Sequence, residues 1–464
     1  MRKVIIFLLF SSVSLIGQNS LIGQNSLING NTFGFRTSSS FVFFDTSDSS
    51  FLEAVHKINP KVLSFPGGLG NFFHLHNPGY GFNLTEVINN HTGSKPKVAA
   101  TFNRITKQKS HNRNYIYDFI DLAKNFDTEV IYNANVLTSD SLEILDVIKV
   151  FEDNDIDLLG VELGGELTNR TYKHVIDEQI YIQDVSLIAE AITRKYPDLK
   201  LIAVAAPVNS IQRHSYWNER LSDEDFYDGV ITHSYAKVTK GQDEFGKMII
   251  EYKEGENNFE AFQLYKERAI NYIFIHYPNE IKEYLNVFED KSIWVTEWNL
   301  QMSKITANTM LQALFVSNYL LELNVNPILR NIELATYHNL AGRTTSGSMI
   351  LRKNNKTSYL LSFDVMRLVS PIFDEKYSIS RNNISDQCFE YNLSLGMYKC
   401  IINWSENPRN INLNSVKKYQ IEEIFSDHLY SKGNTDEVTL NKFYFSNKKK
   451  IEVKARSITV IKEL

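Results

Sequence analysis

Cysteine is almost absent. Cys388 and Cys400 are the only two in a chain of 464 residues, which excludes a disulfide-stapled small domain and a cysteine-rich metal centre. Charge of one sign is lacking too: 49 Lys and Arg stand against 54 Asp and Glu, for a net charge of −5. The chain as a whole offers no positive field to hold a phosphate backbone, so no nucleic-acid partner is expected. Proline (10) and glycine (21) are too sparse for a low-complexity or fibrous chain. After the N-terminus no segment reaches the roughly 18 uninterrupted apolar residues that suggest a membrane-spanning helix.

The first residues, MRKVIIFLLFSSVSLIGQNS, combine a basic start at Arg2 and Lys3, a short apolar run and a small, polar exit. This pattern predicts a signal peptide over 1–19 and a secreted or periplasmic protein with no membrane span after its removal; a retained N-terminal anchor is the alternative. No cysteine lies nearby to carry a lipid. The tandem LIGQNSLIGQNSLING reads as linker. Cys388 and Cys400 flank FEYNLSLGMYK, whose alternation suggests a hairpin that sets them nearly opposite, as a disulfide or as two free thiols.

From residue 27 to 371 short β-branched runs alternate with segments of helical spacing. The strand candidates are FVFF near residue 42, then 61–65, 129–136, 156–163, 199–207, 228–235, 292–299 and 332–339, with KVAATFN (97–103) as a ninth placed in an insertion. YIYDFIDLAKNF, QIYIQDVSLIAEAITRKY and ANTMLQALFVSNYLLEL carry apolar positions at three- and four-residue intervals and read as crossover helices. This cadence predicts an α/β protein with a (β/α)8 TIM barrel; a doubly wound open sheet gives the same cadence. Over 372–464 the helical spacing stops and short strands take over, predicting a small C-terminal β-sandwich.

Chemistry in such a barrel comes from the carboxyl ends of its strands. Two carboxylates meet that condition, Glu166 after the fourth strand and Glu297 on the seventh, which face each other across the mouth. A carboxylate pair flanking a sugar can act as proton donor and nucleophile. Along VELGGEL, alternation places Glu162 inside the barrel as a buried structural carboxylate and Glu166 at its mouth. His233 and Tyr235, from the strand beside Glu297, are suited to hold that group.

The segments ELGGE (162–166), TEWN (296–299), FPGGLGN (65–71) and THSY (232–235), in this order, resemble clan A glycoside hydrolases: the α-L-arabinofuranosidase, β-xylosidase and heparanase-like β-glucuronidase families. The resemblance implies a retaining hydrolase of an oligo- or polysaccharide needing no cofactor and no metal. It makes Glu166 the general acid/base and Glu297 the nucleophile, with His233 and Tyr235 in the glycone pocket; beside that resemblance, Asn135, Asn299 and His338 at strand ends and Trp298 in the cleft are further candidates for sugar contact. Two positions depart from the pattern: Gly165 stands where an asparagine is usual, and Ser64 where an arginine often begins the PGG segment. Either another donor, with Asn135 the candidate, contacts the hydroxyl next to the anomeric carbon, or the sugar lacks that hydroxyl or carries a substituent there, or the chain is a weak or inactive relative. Two other readings stay open. One is a non-catalytic glycan-binding barrel; the other is a metal-dependent hydrolase using His74 and His76 of FFHLH.

Overall fold

A computed structural model describes residues 26–91, 113–209, 211–239, 241–242, 248–249, 258–301, 303–345, 347–374, 377–394, 397–414, 416–446 and 448–464. The leader over 1–19 and the strand candidate at 97–103 lie outside the described residues. Parallel strands β1 (Gly34–Arg36), β2 (Val62–Phe65), β3 (Glu129–Asn133), β4 (Leu158–Glu162), β5 (Lys200–Val204), β6 (Gly229–Ala236), β7 (Ser292–Leu300) and β8 (Ile332–Tyr337) close into one barrel in sequence order. The barrel closes where β8 bonds to β1. The strands read as near-continuous apolar runs because both faces are covered, by the barrel interior within and by helices outside.

Among the crossover helices are α1 (Ser49–Ile58), α2 (Tyr115–Phe126), α3 (Ser141–Glu152), α4 (Glu178–Lys195), α5 (Gln212–Ser222), α6 (Tyr277–Val287) and α7 (Met310–Val325). Asp48, Asn114, Asp140 and Asp177 each accept a backbone N–H at the start of α1 to α4, satisfying donors the helix cannot satisfy itself. Among the described residues no helix is long and apolar enough to cross a membrane.

The first strand is not where the apolar run FVFF suggests. Ser40–Phe43 forms a short helix with Phe41 and Val42 buried, and a short apolar run cannot by itself tell a buried helix from a strand. The strand is the three-residue GFR before it. There the neighbouring backbone comes so close that a Cβ on Gly34 would lie 2.7 Å from the Ala335 carbonyl oxygen.

Beyond the barrel, β9 (Ser378–Ser385), β10 (Cys388–Leu393), β11 (Tyr398–Asn403), β12 (Arg409–Asn412), β13 (Lys418–Ser426), β14 (Val438–Ser446), β15 (Lys450–Val453) and β16 (Ser457–Glu463) make the predicted β-sandwich. The large antiparallel sheet runs β9-β10-β11-β16-β13-β14, and Ser26–Leu27 from the N-terminal side pairs along β9. The second sheet is β12 with β15. Cys388 pairs with Asn403 and Cys400 with Tyr391. The two cysteines are therefore offset along the hairpin and lie on opposite sheet faces, one packed between the sheets and the other toward the barrel. Both are free thiols, and the nearly opposite placement read from the sequence does not occur.

Helix α7 is buried on every side from Met310 to Asn324 because it is packed between barrel and sandwich. Its polar groups are satisfied across that boundary. Tyr391 OH donates to Glu322 (2.7 Å), Arg381 pairs with the same carboxylate (2.5 Å), and the Trp404 indole donates to Asn318 (2.8 Å). An unpaired carboxylate there would be costly, so these bonds fix how the two units dock.

Candidate active site

Strand β4 ends at Glu162, and the chain turns sharply. Gly164 has φ +94°, and a Cβ on it would lie 2.6 Å from Leu167 Cδ1, so no side chain fits. Glu166 is itself left-handed, at φ +51°, a strained conformation for a residue with a side chain. The turn, rather than continued strand alternation, carries Glu166 to the mouth. Asn71, from the turn Gly67–Phe72 after β2, clamps the intervening residue. Its Oδ1 accepts the Gly165 N–H (2.9 Å) and its Nδ2 donates to the Gly165 carbonyl (2.6 Å).

Glu297 sits on β7 where the ladder to β6 slips between Val295 and Glu297, the kind of irregularity that re-aims a side chain. Tyr235 OH donates to its Oε2 at 2.6 Å, His233 Nδ1 lies 3.6 Å from the same oxygen, and Arg36 Nε lies 3.4 Å from Oε1. Gly68 keeps open the space in front: a Cβ there would stand 2.8 Å from Glu297 Oε1. His233 Nδ1 also bonds Glu166 Oε1 at 2.9 Å, so one imidazole bridges both carboxylates. One ligand atom each from Glu166, His233 and Glu297 lies within 4.8 Å of the others.

Burial opposes the charge on Glu297, but the His233 and His338 rings, the Arg36 guanidinium and the Tyr235 hydroxyl outweigh it. They hold its carboxyl well below the usual carboxylate range. Burial lowers the His233 ring, yet Glu297 and Glu166 bring it above its ordinary value. The His338 ring goes down, through burial and then the positive charge of Arg36. Glu297 is thus an ionised, immobilised carboxylate. Glu166 is different: its side chain is 49% exposed, at the rim of a cavity of about 420 Å³ that His233 also lines.

Of the residues singled out in the sequence, Glu166, Glu297, His233 and Tyr235 come together. His338 joins them, its ring 6.2 Å from that of Tyr235 in an edge-on arrangement. Asn135, Trp298 and Asn299 do not reach the pair. The fully buried Asn135 amide donates to Thr138 Oγ1 (2.8 Å) and the Phe73 carbonyl (3.2 Å), which makes it a brace for the loop after β2. Trp298 is 1% exposed and stacks on Tyr319 at 4.8 Å, a core residue and not a sugar platform. Asn299 is fully buried and donates to the His338 carbonyl (2.8 Å), so it supports the site from behind. Glu162 is fully buried, as expected, between Arg36 Nη2 (2.7 Å) and Asn133 Nδ2 (2.8 Å).

The His74 and His76 pair does not form a metal site. Both His74 ring nitrogens are taken, by Glu143 (2.9 Å) and Glu86 (2.8 Å), and His76 is left exposed. Arg36 and Asn71 escaped the sequence reading, whereas Asn133 stood among its strand-end candidates without a role. Arg36 links Glu162 to Glu297, Asn71 clamps Gly165, and Asn133 lies under the same turn with its Nδ2 3.4 Å from where a Gly165 Cβ would be. An arginine ending the short run GFR was the available signal for the first.

A closed (β/α)8 barrel with carboxylates at the ends of its fourth and seventh strands, followed by a β-sandwich, is the architecture defined so far. Solved structures share it along almost the whole chain. The GH51 arabinofuranosidase from Xanthomonas axonopodis pv. citri superposes with a TM-score of 0.66 at 12% identity, covering 95% of this chain and 98% of that one. The α-L-arabinofuranosidase from Thermotoga maritima gives 0.62 at 14% identity over 96% and 98%. A 4-O-α-L-rhamnosyl-β-D-glucuronidase from Fusarium oxysporum gives 0.56 at 10% over 94% and 97%. No family model and no curated protein matches the sequence itself.

Proposed function

We propose that this chain is an exported glycoside hydrolase that cleaves O-glycosidic bonds in an oligo- or polysaccharide with retention of configuration. The observation that carries the reading is the spacing of the carboxylates. Oxygen atoms of Glu166 and Glu297 within 4.8 Å of each other suit the roughly 5–5.5 Å carboxyl separation of double displacement better than the roughly 6.5–9.5 Å of an inverting enzyme. The glycosidase names of structures with the same fold support it, and the basic-apolar leader of the sequence supports export.

In this reading Glu166 donates its proton to the glycosidic oxygen while the Glu297 carboxylate attacks the anomeric carbon. The C–O bond to the leaving sugar breaks and an ester to Glu297 forms. Water then attacks the same carbon, gives its proton to Glu166 and releases Glu297. Different environments suit the two roles. Glu297 is fixed and ionised by Arg36, His233 and Tyr235, whereas Glu166 is open to solvent and can exchange protons. His233, bonded to Glu166 at 2.9 Å and 3.6 Å from Glu297, can pass from one carboxylate to the other as their charges alternate.

The test is a panel of plant and algal glycans with product anomers followed by NMR in early turnover. Retention is expected, with Glu297→Ala lowering turnover at least about a thousandfold and a chelator leaving it unchanged. Inverted product, or a Glu297→Ala variant close to full activity, refutes the mechanism.

A further inference from the structure

The cavity beside Glu166 has a chemistry of its own. It opens between the segment after β4, the segment after β5 and the β6 positions Ile231 to His233. Glu166 and His233 line it, whereas Glu297, Tyr235 and Arg36 do not. The space therefore lies on the proton donor's side of the pair, where a departing group must sit if Glu297 attacks from the other side. At about 420 Å³ it falls within the roughly 300–1,000 Å³ of small-molecule sites.

Its charge is opposite to that of the chain. Arg170 and Lys173 from the first segment and Arg213 from the second line it, and Glu166 is the one carboxylate among its lining residues, in a protein of net charge −5. Arg213 is anchored on neutral acceptors, the Thr168 carbonyl (2.5 Å) and the Ile176 carbonyl (3.5 Å), so it is held in place without losing its charge. Among the described residues Glu166 pairs with His233, and neither Arg213 nor Lys173 forms an ion pair with a carboxylate. The local field is strong enough to be felt by a neighbour: the His214 ring is held below its ordinary value by burial and then by Arg213. Val204 and Ile231 supply an apolar floor of the sort that packs on a sugar's C–H face.

We propose that this cavity is the leaving-group subsite and that it selects an acidic sugar, one carrying a carboxylate or a sulfate ester, through Arg170, Lys173 and Arg213. The words leaving group rest on the glycosidase reading; the preference for an acidic sugar stands on the cavity alone. Guanidinium groups pair well with planar or tetrahedral oxyanions, and a partly enclosed site weakens screening by solvent.

The test is calorimetric binding to the full chain of glucuronoxylan oligosaccharides and of sulfated galactan oligosaccharides, each set beside its carboxyl-reduced or desulfated twin. At least one acidic probe is expected to bind about tenfold or more tightly than its twin. That advantage shrinks with added salt and collapses in the Arg170→Ala/Lys173→Ala variant, whose substituted side chains are exposed. Which probe responds separates carboxylate from sulfate. Equal binding of acidic and neutral twins, no binding by any probe, or an advantage untouched in the double variant overturns the proposal. A parent that hydrolyses nothing yet prefers acidic probes overturns the glycosidase reading and supports the acidic site; an active parent with no preference does the reverse.

Discussion

Replacing Arg36 with methionine tests the electrostatic frame of the site at its centre. The guanidinium is 1% exposed and serves two carboxylates at once, Glu162 at 2.7 Å and Glu297 at 3.4 Å. Removing one member of a buried ion pair costs about 3–5 kcal/mol because the other charge is left unpaired. Glu162 keeps the Asn133 donor at 2.8 Å, while its Oε1 has no partner among the described residues, so a loss of about 3 kcal/mol is expected for Arg36→Met. That is a large part of the roughly 5–15 kcal/mol of a typical native state. Adding Glu162→Gln removes the stranded charge and should restore about 1–2 kcal/mol. The pH dependence has a definite sign. Glu297 is depressed in the folded state despite its burial, so its stabilisation is present above the unfolded carboxylate value of about 4.3 and is lost as pH falls through the folded value. The deficit of Arg36→Met is therefore largest near neutrality and narrows in acid. Urea unfolding followed by circular dichroism from about pH 2 to 8, which spans the depressed Glu297 value, the unfolded carboxylate value and neutrality, measures both quantities. A loss under about 1 kcal/mol, a deficit flat in pH, or a double variant no better than the single one refutes the reasoning.

Two further outcomes are expected. The His74 ring is raised, first by its bond to Glu143, against burial, and then by Glu86. The ion pairs thus contribute fully below about pH 6.5, and that contribution fades as pH rises through the folded value. His74→Gln should melt lower than the parent at pH 6, by about 1 kcal/mol, with the gap closing by pH 9; a gap that widens with pH contradicts the assignment. Both cysteines are fully buried, and burial pushes each thiol up to about 12. A thiol reagent should find none in the native protein and two after unfolding without reductant, whereas a disulfide would leave none in either state.

The barrel was legible because most of its strands repeat the same demand: an apolar run buried on both faces, then a helix, with α1 to α4 carrying an Asp or Asn at their start. The exception is instructive. Phe41 and Val42 sit in an apolar run stronger than that of Gly34–Arg36, yet the weaker run is the strand. What decides it is close packing of Gly34 against Ala335, a tertiary fact with no periodic trace. The candidate pair was legible for a related reason, since Glu166 follows and Glu297 lies within strands whose positions the cadence already fixes. Trp298 and Asn299 misled because they follow Glu297 on the same strand, and position along a strand does not say whether a side chain faces the mouth or the helices behind it. Register decides that, and the slip between Val295 and Glu297 is invisible in sequence.

Gly165 is where these levels meet. An asparagine at this place would begin its side chain 3.4 Å from Asn133 Nδ2, the amide that donates to both Glu162 (2.8 Å) and the Gly164 carbonyl (2.9 Å). An amide belonging to β3 thus lies in contact with this position from below. From the side, Asn71 holds the Gly165 backbone through its N–H and its carbonyl at once. The amide group missing at 165 is matched by two, one at the end of β3 and one in the turn after β2, that bond the backbone of the turn. Because those bonds run through Asn133 to Glu162, and from Glu162 through Arg36 to Glu297, the turn that aims Glu166 and the ion pair that charges Glu297 form one connected structure. The glycine marks how this chain positions Glu166: by gripping the backbone on either side of it, in a network whose other end is Glu297.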